Sequence, residues 1–158
     1  MAATSFEINQ LFRERGLTLG SVESFTGGLF ARTITAVPGA SHFYKGGLVT
    51  YATEEKNRLL GIPFEELDQY GAVSKEIAAA MALRGRQTLN VDFCVSFTGN
   101  AGPEAMEDKP VGEVHIGIAS YDGVQVFSYQ LQGSRDEIQQ KGVELALERL
   151  KINFFEKM

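Results

Sequence analysis

The sequence predicts an α/β protein, a three-layer α/β/α sandwich around a mixed, mainly parallel sheet, and three observations carry that expectation. Apolar strand-like runs alternate with stretches of helical periodicity along the 158 residues. The run Asp92 to Thr98 is mostly apolar without alternation, as a strand covered on both faces must be. The 17 glycines spread through the chain at segment boundaries, which suits a turn-rich domain better than a helical bundle.

Taken in order, Ile8, Leu11 and Phe12 form the apolar stripe of a first helix. Leu17 to Val22 reads as a strand, Thr26 to Ala36 as a helix, and Val37-Pro38-Gly39 as its end. Gly46 to Tyr51 is a second strand. Thr53-Glu54-Glu55 opens a helix with acids in its first turn, where the helix dipole favours them, and Gly61 follows its last residue, Leu60. Pro63 begins a short helical turn, and Ser74 caps a longer helix through Ile77, Met81 and Leu89. Beyond Asp92 to Thr98 lies the longest irregular stretch, Gly99 to Val111, marked as a binding loop by its length and its place after a buried strand. Val114, Ile116 and Ile118 alternate as a strand, Asp122-Gly123 is a hairpin turn, and Val124 to Leu131 returns, which predicts one antiparallel pair. Ser134 and Glu137 have capping-box spacing and open a final helix to about Ile152. The Phe154-Phe155 pair fits either an interface or an end packed on the body.

Length and 44% hydrophobic content suit one core, hence a single domain over residues 1–158. A net charge of −5 with no basic cluster argues against nucleic acid as a principal partner, while an anionic small molecule needs only a few local cations and helix ends. One cysteine rules out an internal disulfide, and Phe93-Cys94-Val95 reads as a buried structural thiol. Met1 to Glu7 lacks a signal-peptide pattern and no run approaches the roughly 18 apolar residues of a membrane span, so the expectation is a cytoplasmic protein with no membrane partner. His42 and His115 stand far apart without a ligand cluster, reading as a loop and a strand histidine rather than a metal site. Neither G-x-G-x-x-G after the first strand nor a P-loop is present, and no cofactor is expected.

The segment with most chemical content is Glu23-Ser24-Phe25-Thr26-Gly27-Gly28, where a strand gives way to a helix. A serine on such a turn, next to backbone N–H groups, is a candidate nucleophile; equally, Ser24 or Thr26 can simply cap the helix. G-x-S-x-G framing is absent and the histidines are badly placed, so a base must come from elsewhere. Tyr51 and Lys56 fall at the end of the second strand and the start of the next helix, where both can project toward Ser24. Serine with neutral lysine is a recognised nucleophile and base, provided burial or nearby positive charge lowers the lysine pKa. Read alone, Lys56 is an exposed helix lysine beside Glu54 and Glu55, and Tyr51 is a strand-end aromatic.

Seven blocks then occur in one order: Glu23 to Gly28; Val37-Pro38-Gly39-Ala40-Ser41; Gly46 to Tyr51 with Lys56 and Leu59-Leu60-Gly61; Gly71-Ala72-Val73-Ser74; Thr98-Gly99-Asn100-Ala101-Gly102-Pro103; Lys109-Pro110-Val111-Gly112; and Gly133-Ser134-Arg135. In this the sequence resembles a stand-alone CinA C-terminal domain from about Leu17 to Leu150. The resemblance implies the α/β/α sandwich of that family and nicotinamide-nucleotide amidase activity, converting nicotinamide mononucleotide to nicotinate mononucleotide and ammonia without metal or organic cofactor. It implies Ser24 as nucleophile, Tyr51 and Lys56 as activating partners, and Thr26, Gly27, Gly28, Gly46, Thr98, Gly99, Ala101, Gly102 and Arg135 as substrate-binding positions. Arg135 suits a phosphate as a charged fork beside free helix N–H groups. A homo-oligomer is a family-level expectation.

The sequence departs from the family pattern in the 99–111 loop. Asn100 stands where an aliphatic residue is common, and Pro103 is followed by Glu104-Ala105-Met106-Glu107-Asp108 in place of a glycine-rich run. Phe25 also replaces a smaller residue. Three loop acids repel a phosphate, which gives the alternatives of a catalytically silent nucleotide- or protein-binding homologue and of an amidase for another amide.

Overall fold

The structure is a computed structural model that describes residues 3–156. Helix α1 is Ser5–Arg15, opened by a reciprocal capping box between Thr4 and Glu7. Strand β1 (Leu19–Glu23) leads through a turn to α2 (Leu29–Thr35), and a short 3-10 turn, Ala40–His42, precedes β2 (Tyr44–Val49). Three helices follow, α3 (Thr53–Leu60), α4 (Phe64–Tyr70) and α5 (Lys75–Leu89). The chain ends with β3 (Phe93–Gly99), β4 (Glu113–Ser120), β5 (Gly123–Gln130), α6 (Arg135–Leu150) and a π-helical turn, Lys151–Phe155.

The sheet order is β2-β1-β3-β4-β5. β1 runs parallel to β2 and β3, and β4 lies antiparallel to both β3 and β5. The mixed α/β/α sandwich expected from the sequence is therefore present, with one refinement. The sequence expectation counted a single antiparallel pair, whereas β4 opposes both neighbours because the 99–111 loop returns the chain directly alongside β3. All the other strands point the same way, so the segments leaving β1, β2, β3 and β5 gather at one end of the sheet.

Alternation along the strands feeds two cores. On one face Leu19, Val95, Phe97, Ile116 and Ile118 meet Ile8 and Phe12 of α1, Phe30 and Ile34 of α2, and Ile138, Ala146 and Leu147 of α6. The Phe154-Phe155 pair packs here, Phe155 against Phe12 and Phe93, which settles it as an end folded onto the body. The other face holds Val22 and Cys94 against Leu60, Leu67, Ile77 and Met81 of α3 to α5. Small residues let α5 lie close: a Cβ on Gly85 would stand 2.5 Å from Val22 Cγ2, and one on Gly117 would stand 2.7 Å from the Ala78 carbonyl oxygen. No described helix is long and apolar enough to cross a membrane.

Candidate active site

The turn after β1 is built so that its serine is not the helix cap. Gly27 and Gly28 adopt left-handed conformations, φ 58° and 103°, which delays α2 to Leu29 instead of the Thr26 expected from the sequence. Capping falls to the buried Glu23, whose carboxylate accepts from Phe30 N–H at 2.8 Å and Ala31 N–H at 3.1 Å. Ser24 is 8% exposed, held by its own N–H donating to the Phe97 carbonyl at 3.0 Å, and its hydroxyl is left for other work.

That hydroxyl meets Lys56. Lys56 leaves the first turn of α3 and is 1% exposed; its Nζ lies 3.2 Å from Ser24 Oγ and donates to the Thr50 carbonyl at 2.7 Å. The exposed, acid-paired lysine that the local sequence suggests is not what forms: Glu55 pairs with Arg58. Burial lowers the Lys56 pKa from 10.5 to about 8, with Glu107 and Glu54 pulling it partly back. At pH 7 roughly a tenth of such amines are neutral, against about one in 3,000 for an ordinary lysine. The same 3.2 Å contact then lets the Ser24 hydroxyl donate to the amine.

The structure separates Tyr51 from this pair. Its carbonyl is 3.5 Å from Ser24 Oγ, a weak contact, while its phenol accepts from Arg135 at 2.6 Å and is directed to the surface. Arg135 also donates to the Gly102 carbonyl, so one guanidinium straps the start of α6 to the segment after β2 and to the loop after β3. Thr26 is buried and its hydroxyl has no hydrogen-bond partner among the described residues. Gly27 N–H is committed to the Ser24 carbonyl at 3.0 Å, so of the three expected substrate-binding positions in this turn it has no backbone donor to offer.

The remaining positions divide. Thr98 uses its hydroxyl on the Ala72 carbonyl, Gly99 gives β4 room to approach, and Ala101 is buried in the core. Gly46 pairs with Gly20 well before the strand ends, and the fold does not bring it to Ser24. Asn100 organises the loop: its Oδ1 accepts from Gly102 N–H at 3.0 Å and its backbone exchanges bonds with Gly112 and Glu113. Sequence reasoning did not find Glu23 or Asn100 as framework residues. An acid six residues ahead of a helix and a small polar side chain opening a loop were the signals available.

Away from the site, His115 is a buried strand histidine bonded to Ser128 and Glu113, and His42 is exposed. The Cys94 thiol is fully buried and pushed up to about 12 by desolvation, in keeping with a structural role. A cavity of about 430 Å³ lies at the opposite end of the sheet, lined by Leu17, Phe93, Tyr121 and Phe154. It touches none of the Ser24 site residues. Among the described residues no group of His, Cys, Asp and Glu is arranged to hold a metal ion.

Fold and site together define an α/β protein with a serine hydroxyl paired to a buried lysine at the carboxyl ends of its parallel strands, where ligands of such sheets bind. The chain belongs to the CinA C-terminal domain family, whose profile matches residues 2–154. It is 46% identical over 145 residues to a CinA-like protein of Geobacter sulfurreducens, covering 91% of this chain and 35% of that protein. The chain thus spans about a third of the length of the curated relatives it matches. Among solved structures it is similar to the competence/damage inducible protein CihA of Agrobacterium tumefaciens, with a TM-score of 0.89, 36% identity, and coverage of 92% of this chain and 90% of that one. The competence damage-inducible protein A of Klebsiella pneumoniae superposes with a TM-score of 0.92 at 28% identity, covering 96% of each chain.

Proposed function

We propose that this protein is a nicotinamide-nucleotide amidase that hydrolyses nicotinamide mononucleotide to nicotinate mononucleotide and ammonia. The observation that carries the reading is the buried Lys56 amine 3.2 Å from Ser24 Oγ, with its pKa lowered to about 8. That arrangement supplies a nucleophile and a base without histidine.

In the proposed cycle neutral Lys56 takes the Ser24 hydroxyl proton as Oγ attacks the carboxamide carbon. Thr26 and Gly28 N–H groups are the candidate donors to the tetrahedral oxyanion, each worth roughly 3–4 kcal/mol when well aimed. Lys56 then returns the proton to the departing nitrogen, releasing ammonia and leaving a nicotinoyl ester on Ser24. Water, deprotonated by Lys56, cleaves that ester to the carboxylic acid and free serine. The strap formed by Arg135 and Tyr51 at the mouth of the site supports a role in holding the nucleotide phosphate, since the guanidinium has N–H groups beyond those it spends on Tyr51 and Gly102. Tyr51 is here a positioning group for Arg135, and Lys56 is the base.

Ammonia release from nicotinamide mononucleotide by wild type and Ser24→Ala tests the reading. Release by wild type, reduced by at least about a thousandfold in folded Ser24→Ala, is the expected result. No release by folded wild type overturns it and favours a binding homologue or another amide.

A further inference from the structure

The 99–111 loop carries a contact that the catalytic reading does not use. Glu107 reaches across to the turn ahead of α5, and its two carboxylate oxygens accept from successive backbone N–H groups, Ala72 and Val73, each at 3.0 Å. Delivering the carboxylate there holds two consecutive non-glycine residues, Glu107 and Asp108, at φ 50° and 60°, a conformation side chains disfavour. The receiving turn is itself joined to the nucleophile. Ala72 accepts from the Thr98 hydroxyl, and the adjacent Phe97 carbonyl holds Ser24 N–H. A continuous set of bonds thus runs from the loop acid through Ala72 and the end of β3 to Ser24.

The charges facing Lys56 are few. Glu54 lies on its own helix and Glu107 on the loop; from β2 comes the Thr50 carbonyl and from the β1 turn the Ser24 hydroxyl. Of the two acids, Glu107 has the larger effect on the amine. It is also the one fixed by two backbone hydrogen bonds.

We propose that Glu107 is a positioning residue of the Ser24–Lys56 site, fixing the loop against the Ala72–Val73 turn and serving as the anchored counter-charge that sets when Lys56 becomes neutral. The inference deepens the amidase reading and rests on its Ser24–Lys56 pair. Glu107 favours the charged ammonium and so restrains the base at neutral pH. Removing its charge therefore lets Lys56 lose its proton at lower pH, and each half unit of displacement reads as a roughly threefold rise in kcat/KM at pH 7 with the alkaline plateau unchanged. A loop acid with a purely structural role would instead lower the plateau and leave the acidic limb in place.

The test follows Lys56 directly in the full chain labelled with 13C at lysine Cε, its resonance assigned by its loss in Lys56→Met. Titration from pH 6 to 11 compares wild type, Glu107→Gln and Glu104→Gln, a neighbouring acid that makes no such contact. The expected result is a midpoint near 8 in wild type, the same in Glu104→Gln, and lower in Glu107→Gln. Raising salt on unmutated protein screens the same charge and lowers the midpoint by more than it does in Glu107→Gln. A Glu107→Gln midpoint equal to wild type overturns the proposal, whatever the activity. A displaced midpoint together with no ammonia release by wild type sustains it and overturns the amidase reading alone.

Discussion

Replacing Lys56 by methionine separates the cost of the buried amine from its use. Depressing a lysine from 10.5 to about 8 means that the folded protein holds the protonated form at a cost of about 3 kcal/mol below pH 8. The folded state binds fewer protons than the unfolded state between pH 8 and 10.5, so wild-type stability rises with pH across that window and the penalty is constant below it. Methionine fills a similar volume and removes the charge, but leaves the Thr50 carbonyl without its donor, which costs about 1–3 kcal/mol. Near pH 7 Lys56→Met is therefore expected to equal wild type or exceed it by up to about 2 kcal/mol, while losing catalysis. The sharper quantity is the difference between the two proteins, which should move by about 2.5 kcal/mol in favour of wild type from pH 7 to pH 10. Urea unfolding at several pH values measures it, because groups common to both proteins cancel in the difference. Curves that stay parallel within about 0.5 kcal/mol would refute the claim that Lys56 is a desolvated amine.

Two further expectations bear on the framework and the mouth of the site. Gly117→Ala places a methyl 2.7 Å from the Ala78 carbonyl oxygen and 2.5 Å from Ser96 Oγ, and should cost about 2 kcal/mol, seen as a fall of about 6 °C in Tm; an unchanged Tm would show that α5 can retreat from the sheet. Arg135→Lys keeps the charge and loses the fork joining Tyr51 to Gly102, so steady-state ammonia release should show KM raised about tenfold with kcat nearly kept. A fall in kcat alone would place Arg135 in the chemistry instead.

The sandwich was legible because strand runs and helical stripes sit where the periodicity places them, with ends displaced by one or two residues except at α2, whose glycine turn delays its start by three. The two-residue shift of β2 has a local cause: Tyr44 enters the strand early to bond Ser21, and as an edge strand β2 pairs only where β1 offers a partner. At the site, residue identity was legible and environment was not. Lys56 stands among Glu54, Glu55 and Arg58, a pattern that describes an exposed face, and its burial arises only when β1, β2 and α3 converge. Tyr51 was expected to end β2 but lies two residues beyond Val49, and which way its ring turns is decided by Arg135, 84 residues further on. The loop acids read as a repelling cluster, yet Glu107 is occupied by two N–H groups that no local pattern announces.

The Glu23 cap carries a consequence for the direction in which a substrate lies. A negative carboxylate sealed against the amino end of α2 cancels the attraction that end would exert on an anion. The two ends of the site are thereby made electrically unlike: at the serine the Glu23 carboxylate stands against the Lys56 amine, while the mouth keeps the cation of Arg135. A molecule with an uncharged amide at one end and a phosphate at the other is sorted head from tail before any covalent step, and the reversed orientation meets a buried carboxylate.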